Sequence, residues 1–169
     1  PLNSNLKKSI RIISAEEVDE KFHSRLTCKK KTYRYVINNS EFSSAIYRNF
    51  ECHIPQKLDI KKMQEAAKFF EGEHDFKAFK ASGTSSKSSI RTIYKAEVFE
   101  MHNNRIYIEL TGNGFLYNMV RIIAGTLVDV GSGKIKPEDI KKIIESKDRS
   151  LAGKTLQPNG LYLVSVKYE

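Results

Sequence analysis

A chain of 169 residues, 40% hydrophobic and 29% charged, carries enough apolar material for one domain with its own core and is cramped for two. No apolar run reaches the roughly 18 residues that cross a bilayer, and the opening PLNSNLKKSI lacks both an initiator Met and an apolar leader, so the expectation is a cytoplasmic chain that starts inside a longer gene product. A net charge of +9 suits a polyanionic partner, most simply nucleic acid, as readily as a lysine-rich solvated surface, and Cys28 and Cys52 have neither metal nor redox spacing, which fits a reducing compartment.

In chain order, Ile10 to Ile13 is a short strand candidate. Thr32 to Ile37 sets Tyr33, Tyr35 and Ile37 against Arg34 and Val36 and predicts a strand. Tyr47 to Ile54 is a weaker one. Asp59 to Gly72 predicts a helix capped by Asp59 and ended by Gly72, with Ile60, Met63, Ala67 and Phe70 as its apolar stripe. Lys80 to Thr92, rich in Ser and Gly, reads as an exposed loop. Ile93 to Met101 and Arg105 to Leu110 predict a hairpin turning at Asn103 and Asn104. Gly114 to Val130 is too apolar for a surface helix and predicts a central one packed on the sheet. Pro137 to Lys147 predicts an amphipathic helix and Leu161 to Tyr168 a last strand. Strands and helices mix without a βαβ repeat. The expected fold is therefore α+β, a single domain over 1–169 with an antiparallel or mixed sheet and helices packed on one face.

Arg121 is the most unusual residue, because it lies on a helix that otherwise wants burial. A guanidinium there must snorkel out, pair with a structural carboxylate, or line a cleft and face an anion. Helical spacing places Tyr117, Asn118 and Gly125 on its face, and Gly125 leaves room for an approaching group. Tyr33 and Tyr35 share a strand face behind the basic run Lys29, Lys30 and Lys31. That arrangement suits base stacking with phosphate contact, or a core in which one or both rings are buried. From Phe76 to Ala96 there are five basic residues (Lys77, Lys80, Lys87, Arg91 and Lys95) and no acidic one. With five serines among them, the segment can follow a phosphate backbone or be an ordinary solvated loop. His23 can be a ligand, a base or a structural hydrogen-bonder. Scattered His and Cys have no metal-ligand spacing, and there is no phosphate-cradling Gly-rich loop, so neither metal nor cofactor is expected. The residues by themselves predict a basic α+β domain that binds RNA.

Several strings, in order, resemble the TruA family of tRNA pseudouridine synthases: FHSR at Phe22 to Arg25, KTYRYVI at Lys31 to Ile37, FFEGEHDFKAF at Phe69 to Phe79, RTIY at Arg91 to Tyr94, GNGFLYNMVRIIAGTLVDVG from Gly112, and GLYLVSVKY near the end. The resemblance covers essentially the whole chain. It implies isomerisation of uridines at positions 38 to 40 in the tRNA anticodon stem-loop, without cofactor or required metal, by a homodimeric enzyme that flips the base into its pocket. It also implies that Tyr33 packs against the base and serves as a general base, and that Arg121 pairs with the catalytic aspartate. His23, Arg25, Lys29, Lys30, Lys31, Lys80, Lys87 and Arg91 are the residues expected to contact RNA. The Gly-Arg-Thr-Asp motif that carries the nucleophile does not occur here. The chain is therefore expected to be the C-terminal part of such an enzyme and inactive alone; a non-catalytic RNA-binding or dimerisation module is the alternative. A smaller departure, TLQPNG before the last strand where relatives have Ala and Pro after the Thr, is expected to affect only a loop.

Overall fold

A computed structural model describes residues 2–83 and 88–168. Among the described residues six strands form one mixed sheet. They are β1 (Lys30–Asn38), β2 (Cys52–His53), β3 (Gly72–Asp75), β4 (Ile90–Met101), β5 (Arg105–Gly112) and β6 (Leu161–Lys167), in the order β2-β1-β5-β4-β3 with β6 also on β1. β6 runs antiparallel along Lys30 to Tyr35, and β2 pairs parallel with Ile37 and Asn38 beyond it. Among the described residues three α-helices accompany the sheet: α1 (Ile60–Lys68), α2 (Met119–Gly131) and α3 (Asp139–Ser146). This is the α+β class expected.

The period-two alternation of β1 sorts its side chains between two environments. Tyr35 and Ile37 are fully buried and lie in register with Ile108 and Ile106 of β5, which in turn face Val98 and neighbouring positions of β4. α1 and α2 close this face with Met63, Ala66, Ala67, Ile122, Ile123 and Leu127, all at 0% exposure. Each of the larger side chains, Met63, Ile122, Ile123 and Leu127, contributes about 1.5–3 kcal/mol on removal from water. The opposite face is a polar and aromatic layer. Arg34 pairs with Glu109 and lies over the Tyr107 ring, and Arg105 reaches the buried Glu51 at 2.7 Å.

The hairpin turns where expected. Asn103 and Asn104 have φ of 61° and 54°, the left-handed conformation that a tight hairpin turn demands and that Asn tolerates. Asp59 caps α1 by accepting from the Lys62 backbone N–H. Other boundaries move. α1 is over by Phe69, and Gly72, at φ 104°, turns the chain into β3 instead of ending the helix. Residues 10–13 belong to no strand or helix, and of 47–54 only Cys52–His53 joins the sheet. β4 starts at Ile90, inside the stretch expected to be loop. α2 begins at Met119, not Gly114, because Asn118 adopts φ 59° and a left-handed residue cannot continue a right-handed helix.

Candidate active site

Arg121 sits in the first turn of α2, at the edge of the core. Its Nε donates to the Leu156 carbonyl at 2.7 Å and one terminal nitrogen donates to Asn118 Oδ1 at 2.8 Å. Both acceptors are neutral. Among the described residues no carboxylate forms an ion pair with Arg121, and none compensates its charge. The positive end of the α2 dipole adds to it.

The guanidinium opens into a cleft of about 450 Å³ whose lining includes Arg25, Tyr33, Arg91, Phe115, Tyr117 and Arg121. Tyr33 forms one wall, held edge-to-face by Phe115 at 5.2 Å between ring centroids. Tyr33 and Tyr35 share a strand face but separate in role. Tyr33 remains partly exposed in the cleft, whereas Tyr35 is fully buried and its hydroxyl donates to the Gln157 carbonyl at 2.5 Å. Burial, reinforced by the Cys52 thiol and opposed by Arg121, pushes the Tyr35 hydroxyl far above the ordinary tyrosine range. It stays protonated and serves as a fixed donor. The cleft thus combines an aromatic wall with three guanidinium groups, a pairing suited to a planar base attached to an anionic backbone.

Leu156 and Gln157 belong to a strap, residues 152–157, strung across the start of α2. The Gly153 N–H donates to Thr126 Oγ1 at 2.9 Å, Leu156 N–H to the Arg121 carbonyl at 3.3 Å, and Arg149 ties the strap through the Ala152 carbonyl and Thr155 Oγ1. The space at Gly125 is taken by this strap and not by a ligand, since a Cβ there would overlap the Lys154 carbonyl oxygen. TLQPNG runs from the strap into a 3₁₀ turn at Pro158–Gly160, and the main-chain carbonyls of Leu156 and Gln157 within it hold Arg121 and Tyr35. Gly125→Ala is expected to lower stability by about 2–3 kcal/mol, because backbone must shift to admit the methyl; a denaturant midpoint measured against the unsubstituted chain checks it.

The other expected RNA contacts are dispersed. Arg25 reaches the cleft from a turn in which His23 Nδ1 accepts from the Arg25 and Leu26 N–H groups, and Tyr168 donates to the Ser24 carbonyl. His23 thus has a structural hydrogen-bonding role in the turn that presents Arg25. Arg91 lines the cleft from the start of β4. Lys80 lies with Lys77, Lys147 and Arg149 along a neighbouring hollow, and the next residue, Ala81, donates to the Tyr117 carbonyl at the cleft rim. Lys30 is on the other sheet face, with its ammonium 5.0 Å from the Tyr94 ring centroid. Lys29 and Lys31 flank it outside the cleft, and Lys87 lies outside the described residues. A larger hollow of about 760 Å³, beside residues 16–22 and the end of β6, is of mixed charge, with Glu16, Glu17 and Asp19 beside Lys21 and Lys167. Among the described residues no cluster of three or more His, Cys, Asp or Glu is placed to hold a metal.

Asn118, Phe115 and the strap are site components that residue-by-residue reading missed. Asn118 was visible only as a residue on the Arg121 helix face, three positions earlier.

A model of the tRNA pseudouridine synthase family matches residues 66–169. The chain is 52% identical over 167 residues to tRNA pseudouridine synthase A of Ruminiclostridium cellulolyticum, 50% identical to that of Acetivibrio thermocellus, and 46% identical to that of Pseudothermotoga lettingae. Each alignment covers 99% of this chain and 68% of the relative.

Proposed function

Because the chain belongs to the tRNA pseudouridine synthase family, we propose that residues 1–169 form the base-holding part of an enzyme that converts uridine to pseudouridine at positions 38, 39 and 40 of the tRNA anticodon stem-loop. The observation that carries this reading is the juxtaposition, in one cleft, of Tyr33 and an Arg121 that has no carboxylate partner among the described residues. The reaction breaks the bond from ribose C1′ to N1 of the base, rotates the base, joins C1′ to C5, and transfers the C5 proton to solvent while N1 takes up a proton in its place. A nucleophilic aspartate from outside residues 1–169 opens the sequence of steps. Arg121 orients that carboxylate and keeps it ionised. Tyr33 packs against the flipped uracil, and its hydroxyl is the base for the C5 proton. The chemistry is carried by side chains and requires no cofactor. The enzyme works in the cytoplasm as a homodimer.

Arg25 and Arg91 grip phosphates at the cleft, while His23, Lys29, Lys30, Lys31, Lys80 and Lys87 extend the contact along the RNA. Unpairing and flipping one nucleotide costs a few kcal/mol, and these contacts offset it. Replacing Lys87 and Arg91 with Ala in the full-length enzyme is expected to weaken tRNA binding and flatten the slope of log Kd against log salt by about 1 per residue. An unchanged slope returns the loop to an ordinary solvated surface. The reaction itself is tested by release of tritium from 5-³H-uridine in tRNA, with substrates altered singly at positions 38, 39 and 40. Release from none of the three would overturn the assignment.

A further inference from the structure

We propose that Asn118 is a positioning residue: its side-chain oxygen, together with the Leu156 carbonyl, fixes the Arg121 guanidinium so that its second terminal nitrogen, Nη2, is left to receive the nucleophile's carboxylate. The inference rests on the reading of Arg121 given under Proposed function and adds the orientation of its fork.

A guanidinium can grip a carboxylate side-on, through Nε and one terminal nitrogen, or end-on, through both terminal nitrogens. Here Nε is committed to the Leu156 carbonyl at 2.7 Å, which closes the side-on edge, and Nη1 spends one of its two hydrogens on Asn118 Oδ1 at 2.8 Å. Among the described residues Nη2 donates to no partner, and it is left with the remaining Nη1 hydrogen for the incoming carboxylate. Two bonds in different directions fix the plane of the group as well as its position. The Leu156 carbonyl is itself held, since its N–H bonds back to the Arg121 carbonyl and the adjacent Gln157 carbonyl accepts from Tyr35.

Asn118 is suited to this task. It stands at φ 59° immediately before α2 and makes no side-chain capping bond to the helix. A helix-capping role therefore does not account for the side chain; its recorded bond goes to Arg121. Asn is also among the few residues that accept a left-handed backbone at small cost. The choice of side chain meets two demands together, the turn into α2 and a neutral acceptor for the guanidinium. An aspartate would meet both geometrically, but its charge would compete with the incoming carboxylate.

The test uses the full-length enzyme with Asn118→Gly, Asn118→Asp and Arg121→Ala. Glycine accepts φ 59° more easily than asparagine, so the fold is kept and only the acceptor is lost. Asn118→Gly is expected to lower kcat about tenfold, the effect of one hydrogen bond to a charged group, with KM for tRNA unchanged. The acid limb of the kcat–pH profile should move to higher pH, because a loosened Arg121 holds the nucleophilic aspartate ionised less well. The other charged or titratable groups around Arg121 are the same in both enzymes: Arg25 and Arg91 in the cleft, Tyr33, Tyr117 and the Tyr35 hydroxyl, and Lys154 on the strap. Asn118→Asp should also lose turnover without a change in KM. Wild-type kcat in Asn118→Gly, or a lower kcat with an unmoved acid limb, overturns the positioning role while Arg121→Ala remains impaired. If Arg121→Ala itself keeps its turnover number, the reading of Arg121 falls first.

Discussion

Replacing Arg121 with Ala in the full-length enzyme is expected to lower kcat roughly 10²- to 10³-fold, the equivalent of losing one partner of a desolvated ion pair, while the Kd for tRNA stays within about twofold. The split follows from what the guanidinium touches. Within the described residues it bonds only to the chain itself, and the phosphate grip is assigned to other cations, so ground-state affinity has little to lose. Its charge matters when the carboxylate must be ionised and aimed at the sugar, which is an interaction realised in the reaction and not in binding. Arg121→Lys is expected to recover little of this. An ammonium has no planar fork, and it cannot keep both the Leu156 carbonyl and Asn118 Oδ1 while presenting two further donors in a plane. Single-turnover rates with enzyme in saturating excess over tRNA separate the chemical step from binding. An Arg121→Ala enzyme with wild-type kcat would remove the central element of the mechanism.

What could be read from the residues divides along the lines of local against long-range physics. The hairpin was legible because two adjacent Asn residues between alternating strands leave few turn geometries open, and both sit at positive φ. The face shared by Tyr33 and Tyr35 was legible from alternation, but their different depths were not. Depth depends on which residues of a distant segment lie above them, here Phe115 over one and Gln157 over the other. β3, with the sequence GEHD, carries no strand signal of its own. It is a polar edge strand specified by pairing with β4. Ile10 to Ile13 shows the converse, apolar residues of the right type with no described strand to pair with.

Gly125 shows how a correct local deduction can attach to the wrong partner. A missing side chain on the Arg121 face does admit an approaching group, and the group is the Lys154 carbonyl of the strap. Nothing in residues 152–157 announces that contact, because it is made by main-chain atoms with helix residues some thirty positions away. Arg121 itself stood out because a charge on an apolar helix has few tolerable explanations. Two of its three possible readings were separated only by the structure, which places no described carboxylate in an ion pair with it and opens a cleft in front of it.

The chain of 169 residues, purified by itself, is expected to bind tRNA in a salt-sensitive manner and to release no tritium from 5-³H-uridine above the blank. Binding follows from the net charge of +9 and from the guanidinium groups of Arg25, Arg91 and Arg121, which converge on one cleft. The lack of turnover follows from the absence of a nucleophile there. The cleft lining contributes tyrosines, guanidinium groups, an amide and apolar residues, none of which attacks a glycosidic carbon at neutral pH without activation. Cys52 has the chemistry, but it is buried and opens onto a different hollow beside His53 and Lys154. A positioned Arg and Tyr without the attacking group still hold the base, so loss should be confined to the chemical step. Supplying the Gly-Arg-Thr-Asp-bearing segment, joined to this chain or added to it, should restore tritium release, and the same segment with Asp replaced by Asn should not. Turnover by the pure chain, at a level that a contaminating intact enzyme cannot explain, would mean that the nucleophile lies within residues 1–169 and that Arg121 faces a partner other than the one assigned to it.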